Sequence, residues 1–263
     1  MGTAAVAFRD LGGSIARLPL AVRLALDDVH GKYRRTILGP LWITLGQAVT
    51  IAGFVVLFSG LFDQDPQGYA IYLAAGFPVW TFLSQYLVDM PNAFIASRGL
   101  IESYELPWLT HVWRRSIGYF LVFLHQLVTL FVTMALLDVS PNINMLYALP
   151  AAALVLLAGT GAGLFFAVLG ARYRDLQPAL QVAAGFLFLF TPVIWRSDQL
   201  RSAVSWAYEY NPLYYYLTVL REPLLGQLPE PRVWIIATAG AVGIFVLGFL
   251  VFLLSRRRLY SRL

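Results

Sequence analysis

The chain contains no cysteine, which excludes a disulfide framework, thiolate catalysis and any metal site built on cysteine. Charged residues are also scarce, at 13% of the chain, where an average soluble domain has about 25%. Apolar residues make up 59%, and they occur in blocks that approach or exceed the roughly 20 residues needed to cross a bilayer. The sequence therefore predicts an integral membrane protein with little material for a separate water-soluble domain.

Catalytic and nucleotide-binding motifs are missing as well. The only Gly-Lys pair, Gly31-Lys32, is followed by tyrosine and lacks the upstream glycine of a phosphate-binding loop, which excludes a Walker A motif. No two of the three histidines stand at metal-ligand spacing, and no metal site is predicted. His125-Gln126 lies in an apolar block, where a polar residue is either a functional group or a hydrogen-bonding partner of a neighbouring helix. The second interpretation is favoured.

Six apolar blocks predict an all-α integral membrane fold with six transmembrane helices. The predicted helices cover Leu41–Phe62, Tyr69–Phe94, Ser116–Leu137, Met145–Leu169, Ala179–Trp195 and Val233–Leu254. Small residues in the fourth and sixth blocks, including Gly161 and Gly248, predict that helices pack closely against each other.

The whole chain, residues 1–263, is expected to form one domain: an N-terminal arm (1–38), the six-helix bundle (39–254) and a basic tail (255–263). In the arm, four apolar residues recur at helical spacing between charged ones: Leu18, Val22, Leu26 and Val29. This pattern predicts an amphipathic helix that lies in the membrane interface. Residues 196–232 are too polar to span a bilayer and too rich in tyrosine and leucine for a solvated loop, so short re-entrant helices are predicted there.

The basic residues predict the orientation of the chain. Of the 19 lysines and arginines, only four fall in the connection between the fifth and sixth blocks: Arg196, Arg201, Arg221 and Arg232. The others occupy the arm, the connections after the second and fourth blocks, and the tail. The positive-inside rule therefore places both termini in the cytoplasm. The high pI, near 9.6, is accordingly interpreted as a topology signal rather than as a sign of nucleic-acid binding.

Several aromatic residues of the first and fifth blocks are candidates for lining a path through the membrane. They are Trp42, Phe54, Phe58, Phe62, Phe186 and Phe190. Contact with lipid and an interfacial aromatic belt is the simpler explanation for any one ring. The alternative is that some of these rings stack on the C–H faces of sugars moving through a channel.

The junction between the arm and the first block carries a specific pattern, KYRRTILGPLWITLGQ at residues 32–47. Four further motifs follow in order along the chain: LIESYELP at 100–107, ARYRDL at 171–176, TPVIW at 191–195 and NPLYYYLTVLRE at 211–222. Together they resemble the permease subunits of the ABC-2 family of transporters, in particular the branch that exports O-antigen, capsule and teichoic-acid polysaccharides. The resemblance covers nearly the whole chain.

This resemblance implies a transport subunit rather than an enzyme. Two copies of the chain would form a channel and would bind two copies of a separate ABC ATPase, which would hold ATP and Mg, while this chain itself would hold no cofactor. The substrate would be a lipid-linked polysaccharide, most simply one on undecaprenyl pyrophosphate. The subunit would lie among the lipids of the bacterial cytoplasmic (inner) membrane, and nucleic acid is not expected as a partner.

The resemblance also implies functional positions. The Arg98–Trp113 loop would contain the main coupling helix and residues 172–177 a second contact with the ATPase; the residues concerned are Arg98, Glu102, Tyr104, Glu105, Pro107, Arg172, Arg174 and Asp175. The cytoplasmic gate, where cations would meet the lipid phosphate, would include Lys32, Tyr33, Arg34 and Arg35. Gly39-Pro40 would turn the chain into the first span, since proline is tolerated at a helix start.

Three other functions remain open. The same fold is compatible with an ABC-2 exporter of another lipid or a drug. A membrane-embedded lipid-linked sugar transferase would need acidic residues at the membrane face, and Asp27-Asp28 is the only adjacent pair available for it. A passive channel would work without any ATPase.

Overall fold

The computed structural model describes residues 3–61, 63–104, 106–197, 206–256 and 259. Six residues used in the sequence-based predictions lie outside this part of the chain: Phe62, Glu105, Arg201, Arg257, Arg258 and Arg262. The described residues form helices, short 3₁₀ segments and turns, with no strand among them. The predicted all-α class is confirmed.

Twelve α-helices are present in the described residues. They are α1 (Thr3–Ala16), α2 (Leu18–Tyr33), α3 (Leu41–Phe58), α4 (Pro66–Val88), α5 (Ala93–Ala96), α6 (Arg98–Ser103), α7 (Trp108–Leu136), α8 (Ala148–Arg172), α9 (Leu176–Phe190), α10 (Trp206–Glu209), α11 (Pro212–Leu224) and α12 (Pro231–Ser255). Five of them, α3, α4, α7, α8 and α12, are long and apolar enough to cross a membrane. The block predicted as the fifth span forms α9, which is apolar but has only 15 residues.

The arm folds into two helices, of which the sequence pattern predicted only the second. In α2, the face that packs against the protein consists of Ala21, Ala25 and Val29. Val22 and Leu26, which belong to the predicted apolar stripe, are 39% and 38% exposed. The predicted apolar stripe therefore includes residues of both the buried and the exposed face of α2. The buried face consists mainly of small alanines, which the pattern of large apolar residues did not identify.

The turn from the arm into the first span forms where it was predicted. Gly39 has a φ of +56°, a left-handed conformation that glycine adopts without steric cost. Pro40 follows as the N-cap of α3. Arg35, just upstream, also has a positive φ, +70°.

Two predicted boundaries are wrong, and a proline explains each. The second span ends at Val88 rather than Phe94, because Pro91 has no N–H to continue the helix and a 3₁₀ turn, Met90–Asn92, replaces it. The third begins at Trp108 rather than Ser116, directly after Pro107. The predicted Arg98–Trp113 loop is therefore shorter than expected, and α6 is its only helix that precedes α7.

Glycines allow α8 to pack tightly against its neighbours. A Cβ atom on Gly248 of α12 would lie 2.1 Å from the carbonyl oxygen of Gly161. On another face of α8, a Cβ on Gly159 would lie 2.2 Å from the Tyr86 ring of α4. The close packing predicted from these small residues is confirmed. It holds α4 and α12 on either side of α8.

At the end of the bundle opposite the arm, α9 stops where Thr191-Pro192 begins, since the residue before proline disfavours helix. The turn that follows is held by tyrosines of α4. The Tyr69 hydroxyl donates to the carbonyl of Ile194 at 2.7 Å, and the Tyr72 hydroxyl lies 2.7 Å from the carbonyl of Trp195. The polar backbone of this turn is thus satisfied inside the protein.

Arg221 of α11 completes that arrangement. Its side chain is buried, and Nη1 donates to the Tyr72 hydroxyl at 2.7 Å and to the carbonyl of Pro192. Its guanidinium carbon also lies 4.5 Å from the centroid of the Tyr72 ring. The TPVIW and NPLYYYLTVLRE motifs are therefore joined through this buried cation, and also through the Asn211 side-chain amide, which donates to the Thr191 hydroxyl at 2.8 Å.

Candidate functional site

A cavity of about 460 Å³ lies at the arm end of the bundle, between α2, the end of α4, α5 and α7. Its charged lining residues are Asp28, Lys32, Asp89, Arg114 and Arg115. Three cations face two carboxylates, so the lining carries a net positive charge. The cavity brings two of the four predicted gate residues, Lys32 and Tyr33, together with two arginines that the sequence analysis had counted only for topology.

The arm is joined to α7 by an ion pair at this cavity. Arg114 of α7 donates from Nε to Oδ2 of Asp28 at 2.6 Å and from Nη2 to Oδ1 at 2.5 Å. This two-point geometry fixes both side chains more firmly than a single contact would. The Asp28 side chain remains 42% exposed and that of Arg114 18% exposed.

The neighbouring arginine is held by a different helix. Arg115 pairs with Asp89, and the Tyr119 hydroxyl donates to the same carboxylate at 2.7 Å. Asp89 stands at the C-cap of α4, where the helix dipole disfavours a negative charge. Arg115 and Tyr119 offset that cost, and they fix the end of α4 against α7.

The four predicted gate residues do not lie in one cluster. Lys32 is exposed on the cavity wall, and within the described residues no carboxylate lies within ion-pairing distance of it. Tyr33 is half-buried and also lines the cavity. Arg34 and Arg35 are exposed beyond the end of α2 and do not line it.

The predicted coupling residues that the structure describes before α7 lie on α6 or between α6 and α7, at the same end of the bundle. Arg98 and Glu102 form an i,i+4 ion pair along α6 at 2.7 Å, with both side chains 55% exposed. Tyr104 is also exposed, and Pro107 is the N-cap of α7. Glu105 lies outside the described residues. The short helix α6 thus exposes a charged pair and precedes the long apolar helix α7 along the chain.

The second predicted contact surrounds the junction between α8 and α9, where Arg172, Arg174 and Asp175 are all exposed. It is linked to the region after α4, because the Asn92 side-chain amide donates to Oε1 of Gln177. This hydrogen bond connects the second predicted contact to the 3₁₀ turn Met90–Asn92, which precedes the first predicted contact along the chain.

A buried carboxylate on α1 fixes the start of α7, and the sequence analysis missed it. The Asp10 side chain is 3% exposed and accepts hydrogen bonds from the backbone N–H groups of Trp108 and Leu109, each at 3.1 Å. Arg256, at the end of α12, lies 3.3 Å from the same carboxylate and 5.1 Å from the Trp108 ring. Burial raises the pKa of Asp10, and the backbone hydrogen bonds and Arg256 partly offset that shift.

The candidate channel aromatics divide into two groups. Phe54 and Phe58 are half-buried, with ring centroids 5.3 Å apart, and Phe54 also contacts Phe77 of α4 at 5.1 Å. The others that the structure describes are exposed on the outer faces of α3 and α9: Trp42, Phe186 and Phe190. Phe62 lies outside the described residues. A role in lining a channel stays a prediction for all of them.

The two histidines of α7, His111 and His125, have different surroundings. His125 makes its side-chain contact to its own helix, through Nδ1 at 2.8 Å from the carbonyl oxygen of Leu121. The link from α3 instead uses the backbone, since the Thr44 hydroxyl donates to the carbonyl of His125 at 2.9 Å. His111 is fully buried in the first turns of α7.

Comparison with known proteins identifies relatives that are similar to this chain over most of its length. Residues 26–225 match the family model described as ABC-2 type transporter. Two curated proteins of Klebsiella pneumoniae, each named O-antigen export system permease protein RfbA, are similar to this chain. One is 24% identical over 242 residues, which cover 89% of this chain and 90% of the relative. The other is 22% identical over 195 residues, covering 74% and 75%.

Proposed function

Because this chain belongs to the ABC-2 type transporter family, we propose that it is the channel-forming permease subunit of an ATP-driven exporter of a polysaccharide linked to a lipid diphosphate, such as O-antigen on undecaprenyl pyrophosphate. The names of both relatives support a polysaccharide as cargo. The observation that carries the proposal is the cavity at the arm, where Lys32, Arg114 and Arg115 face a common space. Such cations bind a diphosphate through strong, charge-assisted hydrogen bonds.

The proposed topology has six spans, with α9 as a short fifth span. Fifteen helical residues extend about 22 Å, which is less than the roughly 30 Å hydrocarbon core. The turn after α9 and the buried face of α11 supply internal hydrogen bonds where the helix stops short, as a re-entrant segment requires. Both termini, α6 and the cavity would then lie on the cytoplasmic side of the inner membrane.

The transporter would consist of two copies of this chain and two ABC ATPase subunits, which bind ATP and Mg. The outward faces of α3 and α9 support a second copy, because they carry small or polar residues among the apolar ones: Gly46, Thr50, Gly53, Gln181 and Gly185 are all exposed. Lipid alone solvates an exposed glutamine poorly, whereas a partner helix or a water-filled path between two copies accommodates it, and the exposed glycines allow a partner helix to approach closely.

Export would begin at the arm. The diphosphate would bind the cavity cations while the glycan enters a path between the two copies, where hydroxyl groups can keep hydrogen-bonding partners. The ATPase would push α6, and because Pro107 joins that region directly to α7, the displacement would reach a helix that lines the cavity. The residues of this chain therefore supply binding and motion, and the partner supplies the energy.

The described residues give the sugar-transferase alternative little support. Of the Asp27-Asp28 pair, Asp28 is engaged by Arg114, so the two carboxylates do not form a free acidic pair. Within the described part of the chain, no group of three or more His, Cys, Asp or Glu residues could hold a metal ion.

The test is to co-purify the chain with candidate ABC ATPases from the same genome and to measure ATP turnover in nanodiscs with and without lipid-linked glycan. We expect a stable complex whose turnover rises with glycan. Lys32→Gln should reduce that rise, because it removes a cation from the cavity wall. Arg23→Gln, an exposed arm arginine that does not line the cavity, is the matched control. Failure to bind any ATPase, or turnover that ignores the glycan, would refute the proposal.

A further inference from the structure

The ion pair between Asp28 and Arg114 has the properties of a releasable latch between the arm and the bundle. We propose that an incoming diphosphate headgroup displaces the Asp28 carboxylate from Arg114 and thereby frees α2 from α7. The inference rests on the proposed function, since it assigns a regulatory step to the same cavity. It makes the substrate itself the signal that moves the arm.

The latch is the main polar connection of the arm helix. In the described part of the chain, the only side-chain hydrogen bonds that α2 makes to another helix are the two between Asp28 and Arg114. Otherwise α2 contacts the bundle through Ala21, Ala25 and Val29. These contacts are apolar and non-directional, so in the described residues the orientation of this end of α2 depends on the ion pair.

The position of the pair makes it exchangeable. Both residues line the cavity, and the Asp28 side chain is 42% exposed. Solvent therefore reaches the carboxylate and weakens the ion pair from that side, although the Arg114 side chain is only 18% exposed. A diphosphate carries more charge than one carboxylate and matches the planar guanidinium fork of Arg114, so it competes well for that arginine.

The neighbouring charges determine the direction of the movement. Once the anion occupies Arg114, Asp28 stands beside a like charge and is repelled. Lys32, one turn further along α2, can follow the anion on its flexible stem. A direct contact of 2.5–2.6 Å is thus replaced by a wider one bridged by the headgroup, and α2 moves away from α7.

The second ion pair at the cavity provides a matched control. Asp89 also lines the cavity and also binds an arginine of α7, but it is on α4 and is additionally held by the Tyr119 hydroxyl. Asp28→Asn and Asp89→Asn each remove one negative charge from the same cavity. Only the first breaks the connection to the arm.

The experiment measures hydrogen–deuterium exchange of peptides covering residues 18–33 in the complete complex with its ATPase, reconstituted in nanodiscs. In the wild type, polyprenyl diphosphate should accelerate exchange in α2 by up to about fivefold, the factor that an exposed ion pair supplies. Asp28→Asn should exchange at the fast rate without lipid and respond no further. Asp89→Asn should respond as the wild type does.

A charge exchange tests whether the pair itself is the cause. Asp28→Arg and Arg114→Asp should each accelerate exchange in α2, whereas the double variant restores a pair of reversed polarity and should exchange slowly again. Elution of each variant as an intact complex on size exclusion verifies folding. Fast exchange in a correctly assembled double variant would contradict the latch.

The probes separate the headgroup from the lipid chain and the latch from the export function. Polyprenol, which lacks the charge, should leave exchange unchanged, while free inorganic pyrophosphate should accelerate it. Acceleration by polyprenol, or none by pyrophosphate, overturns the proposal. If ATP turnover rises with lipid-linked glycan while α2 exchange stays constant, the latch is wrong and the exporter stands. If turnover ignores the glycan, the exporter itself is refuted.

Discussion

Removing the Asp10 carboxylate should destabilise the protein substantially, because three elements meet at this group. Asp10→Ala leaves two backbone N–H groups of α7 without their cap, and a lost N-cap costs about 0.5–2 kcal/mol. It also removes the ion pair with Arg256, whose side chain is 13% exposed, and a hydrogen bond to a charged group contributes about 1.5–3 kcal/mol. Burying the Asp10 charge offsets part of this sum, so we expect a net loss of about 1–4 kcal/mol.

The pH dependence of this effect has a definite sign. Burial raises the pKa of Asp10 above its ordinary value of 3.8, so the folded protein binds the proton more readily than the unfolded chain does. The stability contributed by this shift is fully present below about pH 3.8 and is lost as the pH rises through the folded pKa. Asp10→Asn removes the titration, so its deficit relative to wild type should be larger at pH 4 than at pH 7.

Thermal unfolding in detergent, followed by intrinsic tryptophan fluorescence, measures these differences. Trp108 lies beside Arg256 and donates its backbone N–H to Asp10, so it is well placed to report on the cap. Arg9→Gln, at the exposed neighbouring position, is the control for a substitution on α1 that leaves the Asp10 contacts in place. A midpoint for Asp10→Ala equal to that of Arg9→Gln would refute the view that α1 stabilises the start of α7.

Three further predictions concern other parts of the fold. Gly248→Leu should prevent α12 from packing on α8 and abolish monodisperse protein on size exclusion, whereas Gly243→Leu should be tolerated because no atom lies within 4 Å of its added Cβ. Glu102→Ala breaks only an exposed pair, so the free energy of unfolding should fall by less than about 1 kcal/mol, while glycan-stimulated ATP turnover should fall. A loss of turnover explained by the loss of stability would count against coupling. Arg221→Lys cannot reproduce the guanidinium fork, so residues 191–195 should become more sensitive to proteolysis, with Arg232→Lys, which lies on the exposed start of α12, unaffected.

The long apolar helices were predictable because each is encoded by a long, continuous run of apolar residues in the sequence. An uninterrupted apolar block must bury its backbone polar groups within its own helix, and α3 and α12 begin close to the predicted positions. The boundaries near α7 were not predictable from hydropathy. Polar residues such as Arg114 and Arg115 suggested a loop, although Trp108 and Leu109 are fully buried and begin the helix.

The first arm helix escaped prediction for a related reason. Its buried face consists of Ala7, Asp10 and Ser14, which spacing places on one side of α1 but which carry no apolar signal. Such a face makes sense only when its partner is known, and here the partner is a helix start nearly 100 residues later in the chain. Local pattern contains no information about that contact.

Local sequence pattern likewise does not distinguish the basic residues that set topology from those that are available to bind a substrate. The positive-inside rule treats basic residues as a sum, whereas the structure commits Arg114, Arg115 and Arg256 to individual carboxylates on three different helices. Within the described residues, Lys32 has no such partner, although it shares the cavity with two of these pairs. In the proposed export step, a substrate anion would meet Lys32, which is available, and Arg114, whose carboxylate partner it would displace. Binding at the cavity would then alter the position of the arm.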